Sequence, residues 1–261
     1  MNDLNELPLI KSLRNVIEKV SAGIDGLELA AKIVANSPLE LAGLLSSCLA
    51  EAEIWRQVAD STYCHPNGFI KLVLWDPPDA PFRLRLHIWT ASSKQRARQD
   101  EQNVHGHRWN FGSAIIAGTG LQVDEFVRCD AGGEVYGSYK YRPSDPAAVA
   151  RGPEYASEPS ELELVGKARL ERSARYTLAV GDSYSCATDM LHTVRSLSAD
   201  LTATLVIQGP SLLTDAPVYR RPEQPAQAPP EPLSGAQARE IVGATIEAIR
   251  HDAGQRAATD A

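Results

Sequence analysis

Two histidines, His105 and His107, stand one residue apart at the mouth of the apolar run Phe111-Gly112-Ser113-Ala114-Ile115-Ile116-Ala117. If residues 104–118 form one strand, side chains at i and i+2 share a face. Both imidazoles then project to one side, and Trp109 and Phe111 continue it. Two imidazoles on a rigid strand are half of a metal site. A third, His192, opens the strand-like Leu191-His192-Thr193-Val194. Neutral imidazole is a good ligand for divalent iron, zinc, nickel or copper. Three protein ligands leave positions open for substrate and for water or oxygen. Three neutral ligands also leave the full positive charge on the ion, which favours an anionic co-ligand such as a thiolate, carboxylate or enolate. The plainer alternative is a solvated edge strand carrying two ordinary histidines, with His192 bonded to backbone in the core.

Composition restricts the setting. The 261 residues carry a formal net charge of −7 and no lysine- or arginine-rich run, which argues against nucleic acid and anionic membrane as partners. No apolar stretch approaches the roughly 18–20 residues of a membrane helix. The acidic opening Met1-Asn2-Asp3-Leu4-Asn5-Glu6 lacks the basic-then-apolar plan of a signal peptide. The four cysteines, Cys48, Cys64, Cys129 and Cys186, form no CxxC pair. Reduced thiols in a cytoplasmic protein are the expectation.

The elements that must position the histidines follow from the hydrophobic period. Residues 1–62 read as a helical segment. Leu9, Ile10, Leu13, Val16, Ile17 and Val20 recur at helical spacing, a second run covers Leu27 to Ala35, and Ser37-Pro38 starts a third that continues to Trp55. This stripe is expected to pack on a neighbouring domain. Near Tyr63 the period changes to two. Phe69–Trp75, Phe82–Trp89, the histidine strand, Leu121–Arg128, Glu161–Val165, Ala174–Val180, a strand opening at His192 and Thr202–Gly209 are strand candidates in a β domain spanning 63–216. Residues 92–102 read as an exposed loop, and 129–159 as a long insertion or loose hairpin able to cover a site. Six prolines between Pro217 and Pro232 mark 217–233 as an extended linker. Residues 234–261 hold a last helix, capped by Ser234, with Ile241, Ile246 and Ile249 on its apolar side. It either packs back on the body or joins a partner chain, as in a homodimer.

The spacing resembles the cupin superfamily. His105, His107 and Gly118 fit its first motif, and Gly181 with His192, 11 residues later, fits its second. Phe111 or Gly112 stands where the motif glutamate would be, and Ala187 and Asp189 replace the proline and glycine before His192. A site of three histidines without a carboxylate is similar to the thiol dioxygenase branch, typified by cysteine dioxygenase. Leu86-His87-Ile88-Trp89 resembles its strand before the first motif, and Leu191-His192-Thr193-Val194 with the strand ending Gly209-Pro210 resembles its last ligand. That family's tyrosine and thioether-forming cysteine have no counterpart at matching positions. The resemblance covers about residues 63–210. It implies a mainly β, cupin-like double-stranded β barrel (jelly roll) between the helical ends.

The resemblance also implies Fe(II) at His105, His107 and His192, with zinc, nickel or manganese as the other metals such a site takes. It further implies an oxygenase joining a small polar, anionic molecule and O2. Lys71 falls where the thiol dioxygenases place the arginine that grips a substrate carboxylate; an outward, solvated lysine is the alternative. His87 and Trp89 share a face with Arg83 and Arg85, opposite Leu84, Leu86 and Ile88. They line the substrate pocket if that face is the lumen, and are surface residues otherwise. Trp109 and Phe111 are expected as pocket walls, His65 and His251 as surface residues. Two other functions fit the sequence: a redox-neutral metal-dependent lyase or isomerase, and a non-catalytic cupin binding or sensor module.

Overall fold

The computed structural model describes residues 4–20, 23–77, 80–97, 102–142, 161–198, 200–223 and 230–259. After a short 3-10 turn come α1 (Pro8–Val20), α2 (Ile24–Ala35), α3 (Pro38–Ala50) and α4 (Ala52–Asp60). Strands β1 (Tyr63–His65), β2 (Phe69–Trp75) and β3 (Arg83–Trp89) follow, then the short helix α5 (Ala91–Ala97) where a loop was expected. Next are β4 (Val104–His105), β5 (Phe111–Ala117), β6 (Leu121–Arg128), β7 (Glu134–Arg142), the long β8 (Glu161–Leu178), β9 (Ser183–Cys186), β10 (Leu191–Ser196) and β11 (Thr202–Gln208). The chain closes with β12 (Ala216–Arg220), β13 (Glu231–Pro232) and α6 (Gly235–Thr259).

The strands form two antiparallel sheets. One has the order β13-β1-β2-β3-β11-β5-β9; in the other, β10-β4-β12-β7-β8-β6, hydrogen bonding closes on itself through β6 and β10. The sheets face each other. Phe69, Trp89 and Ile115 of the first meet Leu121, Val123 and Val194 of the second in one apolar cluster. This is the mainly β, cupin-like jelly roll with helical ends.

The other face of the first sheet supports the helices. Leu72, Leu74, Leu84, Leu86, Ile88, Ala114, Ile116, Leu205 and Ile207 share one core with Leu9, Leu13, Leu27, Val34, Leu41 and Leu45. The helices and this face of the first sheet therefore share one apolar core, distinct from the cluster between the sheets. Helix α2 lies so close to β5 that a Cβ on Gly112 would sit 2.1 Å from the Leu27 carbonyl oxygen. Helix α6 packs back on α3 and α4, burying Ala238, Val242, Thr245, Ile246 and Ile249. Its start is a reciprocal cap: Gln237 N–H donates to Ser234 Oγ (3.3 Å) and Ser234 N–H to Gln237 Oε1 (3.0 Å).

Several expectations are corrected. The helix read from Pro38 to Trp55 is two, because Glu51 adopts an extended conformation (φ −90°, ψ 107°) between α3 and α4. Glu161–Val165 and Ala174–Val180 belong to one continuous strand, β8, reaching Leu178. Both ends of the stretch 217–233, expected as an extended linker, lie in strands, and 224–229 lie outside the described residues. Strand β12 pairs with β4 and β7, and β13 extends the first sheet at β1. Pro217 is tolerated as the second residue of β12, where its carbonyl accepts the Gly106 N–H at 2.9 Å. Of the 129–159 segment, Glu134–Arg142 is strand and 143–159 lies outside the described residues.

Gly112→Val drives a branched side chain into the α2 backbone. It is expected to lower stability by about 1–3 kcal/mol, read as a fall in the urea midpoint at unchanged slope. An unchanged midpoint would contradict the close helix–sheet contact.

Candidate metal centre

His105 and His192 are directly opposite one another in neighbouring strands β4 and β10. His107 is not on a strand. The continuous strand read from Val104 to Gly118 is interrupted, because this segment switches sheets: β4 belongs to the second and β5 to the first. The crossing is held at both ends. Gly106 N–H donates to the Pro217 carbonyl, and Gly209 N–H to that of Asn110 (2.9 Å each). Gly106 is also where Pro217 packs. An added Cβ would lie 3.0 Å from Pro217 Cγ and 3.2 Å from Cδ, a tight contact that would require the proline ring to shift by a few tenths of an ångström.

The crossing still brings His107 back to the other two. Ring centroids are 5.0 Å apart for His105–His107, 4.9 Å for His105–His192 and 5.1 Å for His107–His192. One nitrogen from each ring lies within 4.8 Å of the others. His107 Nε2 and His192 Nε2 are 3.0 Å apart, the separation of adjacent ligands on one ion about 2.1 Å from each. His105 Nδ1 is 2.9 Å from the Asn103 carbonyl. It donates there, and the Nε2 lone pair is left for a metal, the usual outer-shell support of a histidine ligand. Burial holds His105, His107 and His192 below the ordinary histidine range, with the charge of neighbouring rings adding to the effect at His107 and His192. Neutral rings are the ligating form. Geometry, tautomer and protonation state all fit a divalent ion.

His192 is buried directly behind His105 and His107, which line a cavity of about 200 Å³ between the sheets. Its wall settles which face of β3 looks inward. Leu84, Leu86 and Ile88 join the helix core, so Arg85 and His87 turn to the lumen and line the cavity. Lys71, opposite His87 in the ladder, is buried at 8% exposure, and its Nζ donates to Tyr63 Oη at 3.0 Å. Burial, then the charges of Arg85, Arg83 and Arg108, hold its amine well below the ordinary lysine range. The Arg85 guanidinium lies 5.2 Å from the centre of the Trp109 ring, which also stacks by His107 at 4.6 Å. Arg108 completes the cationic lining, and among the described residues no carboxylate lines the cavity.

Two of the expected pocket residues lie elsewhere. Trp89 is one step deeper, in the apolar cluster at the closed end of the lumen. Phe111 (3% exposed) stands behind the triad, its ring edge-on to His107 at 5.0 Å. Both back the wall rather than form it, because the cavity is confined to the end of the barrel where β3 carries Arg85 and His87. His65, read as a surface residue, lines the cavity and stacks on Phe69 at 4.5 Å; His251 is on the surface. Sequence reasoning also missed Tyr63, Asn103, Arg108, Tyr141 and Val218, which line the cavity from turns and strand ends. Only Arg85 carried a usable signal, its parity with His87 in the alternating strand.

Topology and histidine geometry together define the class: a cupin-like jelly roll with a three-histidine centre. No protein-family profile matches the sequence, and no curated protein matches it either. Similar solved structures include a cupin-2 domain protein of Rhodospirillum rubrum (12% identity, TM-score 0.29, 70% of this chain and 80% of that one). Another is an RmlC-like cupin protein of Ralstonia eutropha (11%, 0.27, 70% and 76%). A third is hydroquinone 1,2-dioxygenase of a Sphingomonas species (9%, 0.27, 53% and 64%).

The depressed histidines set a pH dependence. Unfolded, these rings protonate near pH 6.5; folded, they stay neutral to lower pH. As pH falls through that value the unfolded chain takes up more protons, so stability present above it is lost below it. The urea midpoint of metal-free protein is expected to drop from pH 7.5 to pH 5. A flat midpoint over that interval would contradict a neutral histidine cluster.

Proposed function

We propose that the chain is a metal-dependent cupin-type enzyme, a mononuclear non-haem Fe(II) oxygenase acting on a small, polar, anionic substrate. The observation that carries this reading is the convergence of three uncharged imidazole nitrogens at the edge of a cavity lined by Lys71, Arg85 and Arg108. His105, His107 and His192 would hold the metal, which when bound supplies redox chemistry toward O2 if it is iron and Lewis-acid chemistry alone if it is zinc.

The protein's own groups bind and orient. Lys71, steadied by Tyr63 Oη, holds the acid group of the substrate. Arg85, whose guanidinium lies over the Trp109 ring, supplies a cationic contact for the same anion. Phe69, His65 and Trp109 close the sides against water. At about 200 Å³ the cavity is smaller than the ~300 Å³ at which drug-sized pockets begin, so the substrate is small. Three neutral ligands leave the charge of the ion to be balanced by the substrate itself, which favours an anionic substrate whether the ion acts by redox or by Lewis-acid chemistry.

The test is oxygen uptake by anaerobically iron-loaded protein with small hydroxy acids, amino acids and thiols. Consumption matched to substrate loss is expected. Equal turnover without O2, or with zinc, would refute oxygenation and establish the redox-neutral reading. Lys71→Ala is expected to raise KM about tenfold or more with metal content unchanged; an unaltered KM removes Lys71 from the site.

A further inference from the structure

Asn103 is 2% exposed, lines the same cavity, and immediately precedes β4. Its carbonyl is engaged by His105, yet both atoms of its side-chain amide, Nδ2 and Oδ1, are buried without a hydrogen-bond partner among the described residues. His87, on the facing sheet, lines the cavity too, and its Nε2 is likewise buried and unpartnered. Buried amides and ring nitrogens are paired in all but a few cases, and an exception calls for a ligand or a functional reason. Among the described residues Ser113 Oγ and Gln208 Oε1 are also buried and unpartnered away from the cavity, whereas Asn103 and His87 are among the residues that line it, together with His105 and His107.

We infer that Asn103 is a specificity-determining residue, with His87 assisting, and that the substrate class is small hydroxy acids. This rests on the reading of the cavity as the site of an anionic substrate. An alkyl chain satisfies neither end of the amide, and a carbonyl oxygen satisfies only Nδ2. A hydroxyl satisfies both, accepting from Nδ2 and donating to Oδ1. His87 Nε2 can donate or accept according to its tautomer, so it suits the same group. An ammonium in that position would lie in the field of Arg85 and Arg108 within one small cavity, where like charges repel strongly at reduced dielectric. The cationic wall thus takes the acid group, and Asn103 reads the neutral oxygen beside it.

The experiment compares three probes of one carbon skeleton, 2-hydroxybutyrate, butyrate and 2-aminobutyrate, by calorimetric titration of zinc-loaded and of metal-free full-length protein. On metal-free protein the hydroxy acid is expected to bind at least tenfold tighter than butyrate, and 2-aminobutyrate weaker than butyrate. Asn103→Leu is expected to bring the hydroxy acid within twofold of butyrate, leaving butyrate affinity and zinc content unchanged. It should also raise Tm, since an apolar chain of similar shape replaces an unpaired amide. Asn103→Gln should recover part of the preference. Equal binding of hydroxy acid and butyrate by the native chain, no binding of any probe, a preference that survives in Asn103→Leu, or an Asn103→Leu protein that is less stable or unfolded each overturns the assignment. Failure to hold zinc would instead strike the metal reading alone, because the hydroxyl preference is read on the metal-free protein.

Discussion

Burial of the leucine face of the first sheet under the N-terminal helices is the constraint on which the site depends. Successive residues of a strand point to opposite faces. Once Leu72, Leu74, Leu84, Leu86 and Ile88 are committed to the helix core, Lys71, Arg85 and His87 have nowhere to go but the lumen. A slip of one residue would exchange the two sets, and the exchange would place two cations against Leu9, Leu13 and Leu27. The large apolar core therefore fixes the register, and the register brings buried cations to the cavity. Helix α2, in backbone contact with Gly112 of β5, extends the same anchoring to the strand that follows the histidine crossing.

The second sheet supplies the other half. Pairing of His105 with His192 across β4 and β10 brings together residues far apart in the chain, and the crossing at Gly106 adds the third ring. Each side of the cavity alone is chemically incomplete: the first sheet lines it with Lys71 and Arg85, and the second sheet with its crossing supplies His105, His107 and His192. The lumen between them combines an electron-pair donor set with a positive wall. Neutral histidines, a buried amine driven toward its uncharged form and an unpaired amide are all costly in a stable interior. Their concentration in one small volume is what the proposed function accounts for.

Much of this was legible in the sequence because it was written in periods. The change of period near Tyr63, the alternation of Phe82–Trp89 and the two histidine spacings located the barrel, its strands and the triad. What escaped was what period does not encode. The break after His105 is a change of sheet, invisible where apolar residues continue on both sides of it. The prolines after Pro217 signalled an absence of secondary structure, whereas Pro217 sits in β12 and Pro232 in β13, where short ladders need few N–H donors. Asn103, Arg108, Tyr63 and His65 reach the cavity from strand ends and turns, and nothing in their spacing distinguishes them from solvated residues. Trp89 and Phe111 had the right parity but the wrong depth, since alternation gives the face of a strand and not the position along the barrel.

The central claim, that His105, His107 and His192 converge on one divalent ion, is tested most directly by X-ray absorption at the metal edge of protein loaded with one equivalent of iron or zinc. Three imidazole nitrogens at about 2.0–2.2 Å are expected, with one fewer in each of the three single His→Ala variants. A spectrum with no imidazole scattering, or one left unchanged by replacement of His192, would contradict the account.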